Sequence, residues 1–98
     1  MAKDLRVGAL LDVYGPFLSE KQRTLAEHYY FEDLSLSEIA ENENISRQAV
    51  RDIIRRTGEM LARYESECGY RAKFDKLKTL AESESPDIEK IKEVIYSL

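Results

Sequence analysis

An all-α chain is what the sequence predicts, and three observations predict it. Glycine and proline, which destabilise helix interiors, number only four and two in 98 residues. Apolar residues recur at helical spacing in one segment after another. Serines stand just ahead of several of those segments, where a side-chain oxygen can accept from the first free backbone N–H groups.

The first segment, Asp4 to Tyr14, sets Val7, Leu10, Leu11 and Tyr14 at i, i+3, i+4, i+7, a helix with one apolar stripe. Gly15-Pro16 ends it. Ser19 opens a second helix, with Gln22 three positions on as capping-box partner and Glu20 suited to the positive helix N-terminus. Its apolar face is Leu25, Ala26 and Tyr29, with Tyr30 and Phe31 near its end. Ser35 opens a third, short helix with Glu38 in the same reciprocal position, and Ile39 and Ala40 supply its buried side.

Asn42 to Ile45 reads as a turn in which Asn44 best tolerates a left-handed conformation. Ser46 then caps a fourth helix running from Arg47 to about Glu67, with Val50, Ile53, Ile54, Thr57, Leu61 and Tyr64 down one face. Gly58 is a weak point inside it, costing about 1 kcal/mol against Ala. Beyond Gly69, Phe74, Leu77 and Leu80 to Ala81 indicate a fifth helix. Ser83 to Ser85 form a polar break, and Ser85-Pro86 reads as a cap with proline in the first helical position. Ile88, Ile91, Ile95 and Leu98 line one side of a last helix. The expected organisation is one helical domain over 1–98, with a core over 19–64 and a C-terminal helical extension over 65–98.

Composition narrows the function classes. No stretch approaches the roughly 20 apolar residues of a membrane span. Asp4, Arg6 and Asp12 interrupt any secretory apolar run near the start, so a cytoplasmic protein without membrane association is expected. Cys68 is the single cysteine and His28 the single histidine. Neither has the companions of a metal site or a catalytic set, and no cofactor, metal or enzyme activity is expected. A net charge of −4 speaks against non-specific coating of nucleic acid. The distribution says more. Residues 1–45 carry four basic and nine acidic side chains, 46–64 five and two, and 65–98 six and eight, so a basic island lies in an acidic chain.

Ser35 to Leu61 carries the functional signal. A short capped helix, a tight turn and a second capped helix with a polar opening turn form the layout of a helix-turn-helix. Ile39, Ala40, Ile45, Val50 and Ile53 or Ile54 must meet between the two helices. With ~100° per residue and Val50 inward, Gln48, Arg51, Asp52 and Arg55 face outward and Arg47 lies at their flank. Arg pairs with guanine and Gln with adenine in the major groove, so Arg47, Gln48 and Arg51 are the recognition candidates. Lys21, Arg23, Arg55 and Arg56 suit phosphate contacts, which set register. The competing reading is a solvated helix face on a fold used for protein contact alone.

Residues Ser35 to Leu61 resemble the helix-turn-helix of region four of bacterial sigma factors, keeping Leu36, Ile39, Ala40, Glu41, Ile45, Ser46 and Val50 in register. Glu43-Asn44 stands where that family usually has Leu-Gly, and the other sigma regions are absent, so promoter opening is not expected. A longer resemblance, to the YlxM family, runs through Leu11 to Tyr14, Leu18 to Gln22, Tyr29-Tyr30, Ser35 to Ala40, Asn44 to Thr57 and Leu61 to Glu65. It implies a sigma region-four-like helix-turn-helix core with an N-terminal helix and a C-terminal helical extension. It also implies a DNA-binding regulator, with a link to the signal recognition particle pathway drawn in that family from gene neighbourhood. The alternative it leaves open is a protein- or RNA-interaction accessory of that targeting machinery without DNA binding. One helix-turn-helix reads few base pairs, so a homodimer on double-stranded DNA half-sites ~34 Å apart is expected. The apolar faces of the first and last helices are the spare surfaces for it, the alternative being that they pack on the fourth helix of the same chain.

Overall fold

The computed structural model describes residues 3–98, and among them every regular element is helical. The helices are α1 (Leu5–Tyr14), α2 (Glu20–Tyr30), α3 (Leu36–Glu43), α4 (Arg47–Cys68), α5 (Tyr70–Glu82) and α6 (Ile88–Tyr96), with a 3₁₀ turn at Gly15–Phe17. Their starts follow from side-chain capping. Asp4 accepts from the N–H of Arg6, Ser19 from Gln22, Ser35 from Glu38 and Ser46 from Ala49. At Ser19 and Ser35 the N3 side chain also accepts from the cap's own N–H, completing both capping boxes.

The long α4 is the spine against which α1, α2 and α3 all pack. Its inward residues Val50, Ile54, Thr57 and Leu61 repeat every three or four positions and are all buried. They divide between two cores. Val50 and Ile54 meet Leu25 and Tyr29 of α2 and Leu36 and Ile39 of α3, with Ala40, Ile45 and Ile53 packed at the margin. Leu61 meets Leu11, Tyr14, Leu18 and Ala26, joining α1 to the same spine. Thr57, wholly buried between them, spends its hydroxyl on the carbonyl of Ile53, four residues back.

Four expectations change. The apolar stripe of α1 is not spare: Leu11 and Tyr14 are buried and Val7 and Leu10 pack beside them, where α1 crosses α4 with Val7 beside Gly58. The last helix is capped by Asp87, whose Oδ1 accepts from Glu89 and Lys90, and Ser85-Pro86 lies ahead of it in the connection. The inward residue of α6 is Val94, while Ile88, Ile95 and Leu98 remain exposed. The turn before α4 is also shorter, since α3 runs through Asn42 and Glu43.

Candidate nucleic-acid interface

The geometry of the motif is set at Asn44. Its backbone is left-handed, φ 54°, and the N–H of Ile45 returns to the carbonyl of Ala40 at 3.1 Å, closing α3 in a Schellman-type turn. The side chain of Ile45 thereby falls back onto the core. Ser46 follows in extended conformation and its Oγ accepts from Ala49 at 3.0 Å, so α4 starts three residues after the reversal at Asn44. Asn fills the left-handed position in place of glycine, at modest steric cost.

At the other end of α3, hydrogen bonds from the backbone and side chain of Ser35 hold the Glu38 carboxyl below the usual carboxylate range. It therefore stays ionised at the positive end of the helix. Lys3 secures the preceding loop, pairing with Asp33 at 2.7 Å, donating to the carbonyl of Leu34 and lying over the Tyr29 ring.

All seven basic or amide side chains singled out in the sequence are exposed, and the structure sorts them by partner. Arg51 projects from the second turn of α4 with neither ion pair nor hydrogen bond among the described residues. Arg47 also lacks one, and lines a shallow cleft with Asp33, Glu38 and Lys3. Gln48 donates to Asp52 at 3.1 Å. Arg55 pairs with Glu59 at 3.0 Å, and Arg56 beside it has no ion pair or side-chain hydrogen bond among the described residues. On α2, Arg23 pairs with Glu27 at 2.9 Å. Lys21 stands at an open cleft with Ser19, Thr24, Glu43 and Ile45, which brings the start of α2 against the turn of the motif. Three of the seven thus begin in i, i+4 pairs, a spacing visible in the sequence and passed over in assigning them. Exposed pairs of this kind contribute about 0–1 kcal/mol and exchange readily for a phosphate.

The lone histidine is part of the same region. His28 on α2 lies between Glu32, in hydrogen-bond contact with Nδ1, and Glu43 of α3 at 3.5 Å from Nε2. Among the described residues no His, Cys, Asp and Glu group could hold a metal ion, and no helix is long and apolar enough to cross a membrane.

A network that sequence reasoning missed fixes the far end of α4. Tyr14 donates to Glu65 Oε1 and accepts from the N–H of Tyr70, while Glu65 accepts from Arg71 and Ala72, each at 3.0 Å. Gly69, left-handed at φ 65°, joins α4 to α5 and offers no side-chain cap. Glu65 supplies that cap from the previous helix. Burial raises the Glu65 carboxyl, but the hydrogen bonds from Tyr14, Arg71 and Ala72 outweigh it and leave it below the ordinary carboxylate range. No sequence signal links Tyr14 to Glu65, because they are 51 positions apart.

Residues 1–97 match the family described as "Putative helix-turn-helix protein, YlxM / p13 like". Among similar proteins, a UPF0122 protein of Staphylococcus haemolyticus is 48% identical over 75 residues, 76% of this chain and 68% of its own length. One from Shouchella clausii is 47% identical over 78 residues, 80% of this chain and 72% of its own. One from Clostridium kluyveri is 52% identical over 65 residues, 66% of this chain and 59% of its own.

Proposed function

Because the chain belongs to the UPF0122 family of YlxM/p13-like helix-turn-helix proteins, we propose that it is a regulatory protein that reads double-stranded DNA with the N-terminal half of α4. The observation that carries this reading is Arg51, an exposed arginine without a partner among the described residues, on the second turn of a serine-capped helix whose inward side is committed to the core. Arg47, Gln48 and Arg51 are assigned to base edges. Lys21, Arg23, Arg55 and Arg56 are assigned to phosphates, with Arg23 and Arg55 exchanging Glu27 and Glu59 for the backbone. The protein acts without catalysis, in the cytoplasm, as two copies on paired half-sites.

The acidic total of −4 favours a second reading, an accessory of the signal recognition particle machinery that contacts protein or RNA and leaves DNA alone. Selection from random duplex DNA, followed across salt concentrations, separates the two. The DNA reading expects an enriched motif, a salt slope of a handful of phosphates, and a loss of roughly 1–3 kcal/mol with relaxed preference at one position in Arg51→Ala. No enrichment at low salt, with recovery of particle components in pull-downs, overturns it in favour of the accessory.

A further inference from the structure

We infer that the α5–α6 hairpin is a self-association arm, with the α5 of one copy lying against the α6 of its partner. The inference deepens the DNA-reading proposal and rests on it for half-site geometry alone.

The chain exposes more surface than it should. A compact protein of 11.4 kDa presents roughly 5,800 Å², against 6,697 Å² here. Its radius of gyration is 16.5 Å, where about 13 Å is usual for this length. The excess, roughly 900 Å², is close to the ~800 Å² each partner contributes to a standard interface. It is concentrated in the arm. No residue of α5 is buried, and Val94 alone is buried in α6. Among the described residues, Phe74, Ile88, Ile95, Tyr96 and Leu98 account for five of the eight exposed large apolar side chains, with Ile95 at 48% and Tyr96 at 81%.

Charge identifies the occupant. Over 70–82 the chain carries Arg71, Lys73, Lys76 and Lys78 against Asp75 and Glu82, a balance of +2. Over 83–98 it carries Lys90 and Lys92 against four acidic residues, a balance of −2. A two-fold pairing sets the positive helix of each copy on the negative segment of the other, so the surface complements itself. A foreign partner would need to match both signs as well as the apolar strip. The arm also leaves the reading surface free: α5 begins at the C-terminal end of α4, roughly 30 Å along the helix from Arg47.

Sedimentation of the full chain without DNA tests this. Wild type is expected at twice the 11.4 kDa chain mass. Ile95→Asp, at an exposed site, should keep the helical circular dichroism and weaken association about tenfold or more. The charge-reversed proteins Lys76→Glu/Lys78→Glu and Glu84→Lys/Glu93→Lys should each be monomeric alone and associate when mixed, since each then meets an opposite arm. A wild-type monomer at about 100 μM, far above the dissociation constants of standard interfaces, overturns the inference, as does an Ile95→Asp dimer of undiminished affinity or a mixture that stays monomeric. A monomer that still selects a single half-site refutes the arm and keeps the DNA reading. A dimer that enriches no DNA does the reverse.

Discussion

Replacing Glu65 by Gln should detach α5 without disturbing the helix-turn-helix. The carboxylate serves three donors, the Tyr14 hydroxyl and the N–H groups of Arg71 and Ala72. An amide keeps one oxygen, best spent on Tyr14 and Arg71, and turns its NH₂ toward the N–H of Ala72. One charge-assisted bond is lost and the others become neutral, a cost of about 2 kcal/mol. For a chain of this size that lowers Tm by roughly 8–16 °C. Thermal unfolding by circular dichroism at neutral and acid pH is the assay. The sign is fixed by linkage: the folded carboxyl titrates below the ordinary glutamate value of 4.5, so its contribution is complete above that pH and disappears as the pH falls through the folded value. The gap between wild type and Glu65→Gln should therefore narrow on acidification. Hydrogen exchange should quicken in α5 and stay slow in the first half of α4. A neutral-pH loss under about 0.5 kcal/mol, the scatter of ordinary surface changes, or a gap that persists in acid, would refute the capping role.

Other perturbations test separate parts of the structure. Burial, reinforced by the hydrogen bond to Glu65, pushes the Tyr14 phenol up to about 12, so its contribution is intact below pH 10 and declines toward pH 12; alkaline titration of stability should be flatter in Tyr14→Phe. Gly58→Ala should stabilise by about 0.5–1 kcal/mol, because the added methyl meets Val7 at an ordinary 3.6 Å. Gly8→Ala should gain less or lose, since its methyl would sit 3.3 Å from the Tyr30 Cβ, and parallel denaturant melts will rank the two. Asn44→Gly should be neutral or stabilising while Asn44→Ala costs about 1 kcal/mol, read from the same melts, because φ is 54° there.

Much of the candidate site was legible because its determinants are local. Ser19, Ser35 and Ser46 find their capping partners three residues on, and Asn44 makes its turn with neighbours no more than four residues back. Periodicity in α4 named Val50, Ile53, Ile54, Thr57, Leu61 and Tyr64 as its inward face; four of the six are buried, and Ile53 and Tyr64 are half-buried at its margins. The pairing of Gln48 with Asp52, Arg55 with Glu59 and Arg23 with Glu27 was legible too, and shows why listing cations overstates the charge free for a ligand. Proline at 86 pointed to the wrong cap because proline is tolerated both at a first helical position and just outside it, and only the hydrogen bonds of Asp87 distinguish these.

The amino-acid sequence by itself determined where the first four helices begin, which way α4 faces and that a short and a long helix meet at a left-handed Asn44, since each of these depends on atoms within about one helical turn. Only the tertiary structure decided which apolar stripe finds a home in the same chain. The stripes of α1 and α6 look alike in sequence, yet α1 packs on the spine around Leu61 and Ala26, whereas α6 packs chiefly on α5. Complementarity between surfaces dozens of residues apart has no local signature, and it leaves one face buried around Tyr14 and Glu65 and the other open to solvent.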